Sequence, residues 1–332
     1  MKWQSASFDD GNLDELVSKI ASGDARAVAK AISLVENVPD FAKNLMALIS
    51  PIYKKKPRIG ITGSPGVGKS TLINQLLKIL RQRGQRVSVV AVDPTSPFTG
   101  GAILGDRIRM TGFPSDNGVF IRSMGSRGSL GGVSASTANA VRLLEVYGSD
   151  LIIVETVGMG QTGFDIVDIA DSVVLLLSPE SGDGIQTMKA GVMEVADIYV
   201  VNKADRPGAD ALLMELELLM SSIEGTLQWK PPLLKTCAVS GEGVEEILKA
   251  FLEHQEFLLK NNLLAQRRER QIINELRFIV ENNLRSLAFS TQAFSDLFST
   301  LAKKVERGEV DTYTAADTII SHLARTLSET YK

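Results

Sequence analysis

The chain is expected to fold as an α/β protein, a parallel β-sheet domain with helical extensions at both ends. Three observations carry this expectation. From Arg58 to about Phe251, short β-rich runs alternate with longer stretches of helical periodicity, the pattern of a parallel sheet covered by helices on both faces. The residues before and after this region have apolar side chains at helical spacing. The first β-rich run leads into a glycine-rich segment that opens an amphipathic helix. The resulting division is a helical extension over 1–55, a P-loop domain over 56–251 and a helical region over 252–332.

In chain order, Leu13, Leu16, Val17 and Ile20, then Ala27, Ala31 and Leu34, then Phe41, Leu45 and Leu48 predict helices broken at Gly23 and Pro39. The lysine cluster "KKKPR" at 54–58 reads as a solvated linker, with a nuclear signal as the alternative. Seven strands are expected at "RIGIT", "RVSVVAVD", "GVFIRSM", "DLIIVET", "SVVLLLS", "IYVVNK" and "LLKTCAVS". After Gly243 some 45 residues pass without Pro or Gly, predicting at least one long helix, and the tail from 290 to 332 is helical with a break near Gly308.

Composition narrows the function classes. With 44% hydrophobic and 23% charged residues and a net charge of −3, the chain has no field suited to a polyanion, so nucleic acid is not an expected partner. The single cysteine, Cys237, excludes an intrachain disulfide framework, and with only His254 and His322 there are too few soft ligands for a closed zinc or nickel site. The apolar runs are strand-sized and the N-terminus turns acidic early, so a cytoplasmic protein without membrane association is expected.

"GSPGVGKS", Gly63 to Ser70, fits G-x-x-x-x-G-K-[ST] in full, after a strand and before a helix. Backbone N–H groups of such a loop turn inward around phosphates, the helix N-terminus adds its positive end, Lys69 reaches the β and γ oxygens, and the Ser70 hydroxyl ligates Mg²⁺. The nucleotide contacts are expected from Gly63, Gly66, Val67, Gly68, Lys69, Ser70 and Thr71. "VVNKAD" supplies Asn202, Lys203 and Asp205 as N-K-x-D at a strand end. Asp205 can accept from the ring N–H and the exocyclic amino group of guanine, a donor pair that adenine lacks. "TCAVSGEG" stands where a backbone loop, through Ala238, would meet the base, and Cys237 reads as a packing residue. GTP and GDP are therefore the expected nucleotides, with Mg²⁺.

"DLIIVETVGMGQ" is an apolar strand ending in Glu155, with Gly158 three residues on, a variant of D-x-x-G in which the glycine N–H meets the γ-phosphate. Glutamate is one methylene longer than aspartate, so Glu155 is expected to act on the metal through a water. Met159 occupies the place of a water-orienting glutamine, which predicts slow intrinsic hydrolysis. Gln161 is the nearby polar candidate, with an uninvolved surface glutamine as the alternative. In "VDPTSPFTGGAILGDRIRM", Asp93 and Asp106, with Arg107 and Arg109, are expected to address Mg²⁺ and phosphate, with a long solvated loop as the alternative. "RSMGSRGSLGG" either lines the site or turns the chain.

Taken together, "GITGSPGVGKSTLI", "VDPTSPFTGGAILGDRIRM", "SRGSLGGVS", "VETVGMGQ" and "VMEVADIYVVNKAD" resemble the MeaB/ArgK family of P-loop GTPases, in the class of the signal-recognition-particle and nickel-insertion GTPases. The resemblance implies a G-protein chaperone that helps deliver adenosylcobalamin to, and protect, an acyl-CoA mutase such as methylmalonyl-CoA mutase, working as a homodimer through C-terminal helices. It also implies a further switch at "SPESGDGIQTMKAG", with Asp183 and Lys189 at matching positions. Pro179 and Glu180 depart from the small or apolar residues usual there, and "TGFD" lacks an acidic residue expected early in its loop. The alternative is an ArgK-like small-molecule kinase or transport ATPase, disfavoured by N-K-x-D and by the lack of an acceptor-substrate domain. A nickel metallochaperone would need His-rich or paired Cys/His ligands, and a protein-targeting GTPase a Met-rich helical domain.

Overall fold

In a computed structural model the chain is described over residues 10–93, 116–125, 135–156, 166–180, 196–221, 228–289 and 292–330. The seven expected strands form one sheet: β1 (Arg58–Thr62), β2 (Val87–Asp93), β3 (Val119–Gly125), β4 (Leu151–Thr156), β5 (Ser172–Leu177), β6 (Ile198–Val201) and β7 (Leu233–Lys235). The order is β3-β2-β4-β1-β5-β6-β7, with every neighbouring pair parallel. All strands therefore end on one edge. After β1 the chain crosses to β2 and β3 on one side, returns to β4, and then places β5 on the other side of β1, so the strand order reverses beside β1. That reversal is where α/β sheets bind ligands, outside the carboxyl ends of the strands.

Strand burial follows from helices on both faces. β4, β5 and β6 are buried at every position, as their near-continuous apolar sequences require. On one face, Ile59, Ile61, Ile153, Val174, Leu176 and Val200 pack with α4 (Lys69–Gln82) and α7 (Val244–Lys260), which present Leu72, Leu76, Leu80 and Ile247, Phe251. On the opposite face, the alternate residues Leu175, Leu177, Tyr199 and Val201 pack with α6 (Ala209–Ser221). α5 (Ala135–Val146) lies on β2, and α2 (Ala25–Asn37) packs against α5.

The N-terminal helices are α1 (Asp10–Ala21), α2 and α3 (Pro39–Ile49), broken at Gly23 and Pro39 as their sequence requires. Asp24 caps α2 by accepting from the N–H groups of Arg26 at 2.7 Å and Ala27 at 3.1 Å. Pro39 occupies the first turn of α3, where its missing N–H costs nothing. After Gly243 the helical stretch is two helices, α7 and α8 (Leu263–Phe289). The break lies at Asn262, held at φ 56°, and Asn is the residue other than glycine that tolerates this conformation best.

The chain divides into two compact units, 1–274 and 275–332. Within the second, α9 (Gln292–Glu306) and α10 (Thr312–Thr330) pack on each other, with Phe294 edge-on to His322 at 5.0 Å and Phe289 stacked on Phe298 at 5.1 Å. Within the first, the beginning of α8 is fastened to the edge where β5 and β6 start. Arg268 meets the Asp171 carboxylate with two nitrogens, at 2.8 and 2.6 Å. Arg267 does the same to Asp197, at 2.8 and 2.9 Å, and also donates to the Asp171 carbonyl. One turn on, the Gln271 amide donates to the carbonyls of Val167 and Ala170, and Asn274 donates to Asp168 at 2.7 Å. Val167 and Asp168 belong to a single 3₁₀ turn, Ile166–Asp168, which leads into β5.

His254 completes this buried polar cluster. Its Nε2 faces Asp197 at 3.3 Å, which assigns the ring proton there, so Nδ1 accepts from Ser172 Oγ at 2.7 Å. Ser172 in turn accepts from Gln255 Nε2 at 2.8 Å. Burial pushes the imidazole down to about 4, against the pull of Asp197 and with help from the Arg267 charge. His254 is therefore neutral in the folded chain but titrates near 6.5 when unfolded. The stability this contributes is complete above pH 6.5 and is lost as pH falls towards 4. Urea midpoints of the full chain should drop across that window, and a His254→Asn variant should show a shallower drop. Identical pH slopes in the two proteins would refute the assignment.

Candidate functional site

At the carboxyl edge, β1 gives way to the segment 63–68, which enters α4 at Lys69. Two glycines are demanded by close approach. Gly63 has φ 147°, and a Cβ there would lie 2.2 Å from the Leu176 carbonyl oxygen. Gly68, at φ 102°, would place a Cβ 2.4 Å from Asn202 Nδ2. The segment is thus pressed against both β5 and the residue following β6, and the first N–H groups of α4 point out of its N-terminal end, as in any helix. Gly66 has φ 81° with open space around it, and Val67 is buried beneath the turn.

The side chains here are charged or polar although largely covered. Lys69 is buried, and its ammonium donates to the carbonyls of Gly63 at 2.7 Å and Ser64 at 3.1 Å. Ser70 Oγ donates to Glu155 Oε1 at 3.0 Å, bringing the first turn of α4 together with the end of β4. Glu155 is buried, and the Thr156 hydroxyl beside it donates to Thr62 Oγ1 at 3.0 Å, tying the ends of β4 and β1 together. Thr71 is exposed on α4.

Asn202 joins this cradle to the loops beyond β6 and β7. Its Nδ2 donates to the Val67 carbonyl at 2.7 Å, while its Oδ1 accepts from Thr236 Oγ1 at 3.1 Å and from the Ala238 N–H at 3.0 Å. Gln75 of α4 supports the same loop by donating to the Ala238 carbonyl at 3.1 Å. Lys203 follows in the left-handed conformation at φ 58° and pairs with Glu180 at 2.6 Å. Asp205 is exposed and accepts from the Cys237 thiol at 3.3 Å. The phosphate-type cradle and the Asn-Lys-x-Asp segment thus lie on one edge, linked by the buried amide of Asn202.

The structure brings together Gly63, Gly66, Val67, Gly68, Lys69, Ser70, Glu155, Asn202, Lys203, Asp205 and Ala238. Asp93 closes β2 beside Gly125, with its side chain outside what is described. Asp106, Arg107, Arg109, Gly158, Met159, Gln161, Asp183 and Lys189 lie outside the described residues. Sequence reasoning missed the contacts of Thr236, Gln75 and Glu180, and it treated Cys237 as packing. A hydroxyl and a thiol directly before Ala238 were the only signal available, because their partners are some 30 residues away.

A family profile described as "Methylmalonyl Co-A mutase-associated GTPase MeaB" matches residues 28–293. A putative GTPase of Pyrococcus horikoshii is 47% identical over 315 residues, which cover 94% of this chain and 98% of that protein. The Mus musculus protein described as "Methylmalonic aciduria type A homolog, mitochondrial" is 33% identical over 329 residues, covering 93% of this chain and 79% of its own. A crystal structure of an LAO/AO transport system kinase superposes with a TM-score of 0.72 at 26% identity, over 96% of this chain and 100% of that one.

The Asn202 amide makes its own demand on stability. Asn202→Ala would strand the Val67 carbonyl and the Ala238 N–H in a buried setting. The expected cost is about 3 kcal/mol, read from denaturant unfolding without nucleotide. A loss well below 1 kcal/mol would show that the cradle and the 236–238 loop do not depend on this side chain.

Proposed function

The chain belongs to the MeaB family of methylmalonyl Co-A mutase-associated GTPases, and on that premise we propose that it is a GTP-driven chaperone for adenosylcobalamin loading and protection of an acyl-CoA mutase, such as methylmalonyl-CoA mutase. The observation that carries the reading is the Asn202 linkage, because it sets a guanine-type recognition segment at a fixed distance from a phosphate cradle. In this reading Asp205 accepts from the base, Ala238 and its neighbours form the wall beside it, and the N–H groups from Gly63 to Thr71 hold the phosphates. Lys69 exchanges its bonds to Gly63 and Ser64 for the β and γ oxygens, so its charge is already in place when the transferred phosphoryl group develops negative charge.

The donor set suits Mg²⁺. Ser70 Oγ and Glu155 Oε1 are hard oxygens 3.0 Å apart at the mouth of the cradle, and Asp93 and Asp106 are the further carboxylates we assign to the ion. When bound, the ion supplies positive charge to the phosphate oxygens. Glu155 acts through a water in this scheme, Gly158 meets the γ-phosphate, and Gln161 is the candidate for orienting the attacking water. The switch role of 178–191, with Asp183 and Lys189, belongs to the same proposal.

Homodimerisation is proposed through the C-terminal helices. α8 exposes Ile272, Ile273, Leu276, Ile279 and Val280, five large apolar residues within nine positions, which is more than one solvated helix face normally carries. No helix among the described residues is long and apolar enough to cross a membrane, and a cytoplasmic location is part of the proposal. The kinase named by the superposing structure leaves a second reading, in which the γ-phosphate passes to a small metabolite.

Two measurements test the proposal. Lys69→Ala should lower GTP turnover by roughly 100-fold or more, with GTP bound in preference to ATP by the unmodified protein; unchanged turnover would remove the cradle from the reaction. Addition of an adenosylcobalamin-dependent acyl-CoA mutase should raise hydrolysis by about tenfold, by completing a water-orienting geometry that Met159 cannot supply. A mutase without effect on either rate or nucleotide affinity would defeat the chaperone reading, and label recovered on a metabolite would establish the kinase instead.

A further inference from the structure

Beyond the end of β5, Pro179 and Glu180 rest beside the turn 203–208. A Cβ on Gly208 would stand 3.5 Å from Pro179 Cβ, an ordinary contact distance. Glu180 then reaches into the Asn-Lys-x-Asp segment. Its Oε2 lies 2.6 Å from Lys203 Nζ, and its Oε1 lies 3.8 Å from Arg206 Nε. Arg206 Nε is also 3.8 Å from Asp205 Oδ2. The remaining oxygen of Asp205, Oδ1, accepts from the Cys237 thiol. The four charges form a string, Lys203, Glu180, Arg206, Asp205, in which one guanidinium stands equally far from two carboxylates. The turn itself is pinned by the bond from Arg206 N–H to the Lys203 carbonyl at 2.9 Å.

This arrangement bears on base recognition. A carboxylate can bind the paired donors of guanine only while both its oxygens are free to turn towards them, and a neighbouring guanidinium is the strongest competitor a protein can offer. Arg206 directly follows Asp205, so the competition is built into the chain. Glu180 offers Arg206 a second carboxylate of equal reach. The Lys203 ammonium, and then Arg206, hold the Glu180 carboxyl below its usual range, so it remains charged at neutral pH.

We propose that Glu180 is a positioning residue for base selection, drawing Arg206 away from Asp205 and so keeping that carboxylate available to guanine. The proposal rests on the reading of Asp205 as the guanine acceptor. It assigns a specificity role to a residue outside the Asn-Lys-x-Asp segment, acting through Arg206. Once Glu180 loses its charge, Asp205 is left as the near partner of Arg206, and guanine must displace a guanidinium to bind.

The test compares GDP with IDP, whose base lacks the exocyclic amino group and so can give Asp205 one bond in place of two. Calorimetric titrations at low salt would use the full chain, its Glu180→Gln variant, and the double variant Glu180→Gln with Arg206→Ala. These side chains are 51% and 59% exposed, so the substitutions leave the core untouched. Glu180→Gln is expected to weaken GDP by about three- to fivefold, to weaken IDP less, and so to reduce the GDP-to-IDP preference. Arg206→Ala in the same chain should restore both. Equal weakening of GDP and IDP would mark Glu180 as a general support of the turn and overturn the proposal. Failure of Arg206→Ala to restore the preference would do the same, as would no effect of Glu180→Gln. If the unmodified protein binds ADP as tightly as GDP, the guanine reading of Asp205 falls first, and that result is visible before any variant is made.

Discussion

The geometry of the candidate site depends on the buried amide of Asn202. A parallel sheet delivers the ends of β1, β4, β6 and β7 to one edge, but it does not fix the loops that follow them. Asn202 supplies that constraint by spending its donor on the Val67 carbonyl and its acceptor on Thr236 and Ala238. Because Gly68 must lack a Cβ for this amide to approach, the glycine pattern of the cradle is set partly by a residue over 130 positions away. Glycine in such a segment thus serves two purposes: it frees the backbone N–H groups, and it admits the side chain that holds the loops in register.

The opposite edge of the sheet is built differently. There Asp171 and Asp197 each meet an arginine with two nitrogens, and the neighbouring carbonyls and Ser172, His254 and Gln255 complete the network. A buried ion pair contributes little net stability against a well-packed apolar alternative, yet removing either partner is costly. The value of the network is therefore in orientation: it fixes where α8 starts and grips the 3₁₀ turn ahead of β5 through Gln271 and Asn274. The carboxyl edge carries exposed Asp205, Glu180 and Arg206 beside buried Lys69 and Glu155, whereas the opposite edge carries Asp171, His254 and Arg268 buried.

How much of this was legible in the sequence follows from the range of the interactions. The seven strands and the glycine-rich cradle depend on residues adjacent in sequence, so their pattern is present in short windows such as "RIGIT" and "GSPGVGKS". The division of the stretch after Gly243 was not legible, since Asn262 breaks the helix without the glycine or proline that usually announces it. The latch under the sheet was also hidden. "RR" at 267–268 reads as a solvated helix face until Asp171 and Asp197, some 70 to 100 residues earlier, are placed beneath it. The N-K-x-D string suggested a base-binding aspartate, but only the fold shows that Glu180, 25 residues before Asp205, shares its arginine.

The two edges also bear on how a nucleotide could inform a partner. A ligand shifts an equilibrium only by its differential affinity for the states involved, so some part of the protein must stay fixed while another part responds. The buried pairs at the start of β5 and β6 provide the fixed part. At the other end of β5, Glu180 lies three residues past the strand, held by a 2.6 Å pair to Lys203 that is partly open to water. Surface pairs of this kind are worth little in isolation and are readily exchanged. That weakness suits the position. A strong buried pair at Glu180 would hold one arrangement regardless of the ligand, whereas the exposed Arg206, 3.8 Å from both Glu180 and Asp205, would on the proposed reading be tipped by a base arriving at Asp205. By reciprocity, whatever repositions Glu180 must then alter the affinity for that base. On the proposed reading of Asp205, an exposed and exchangeable charge string thus stands directly between the end of β5 and the residues that would choose the nucleotide.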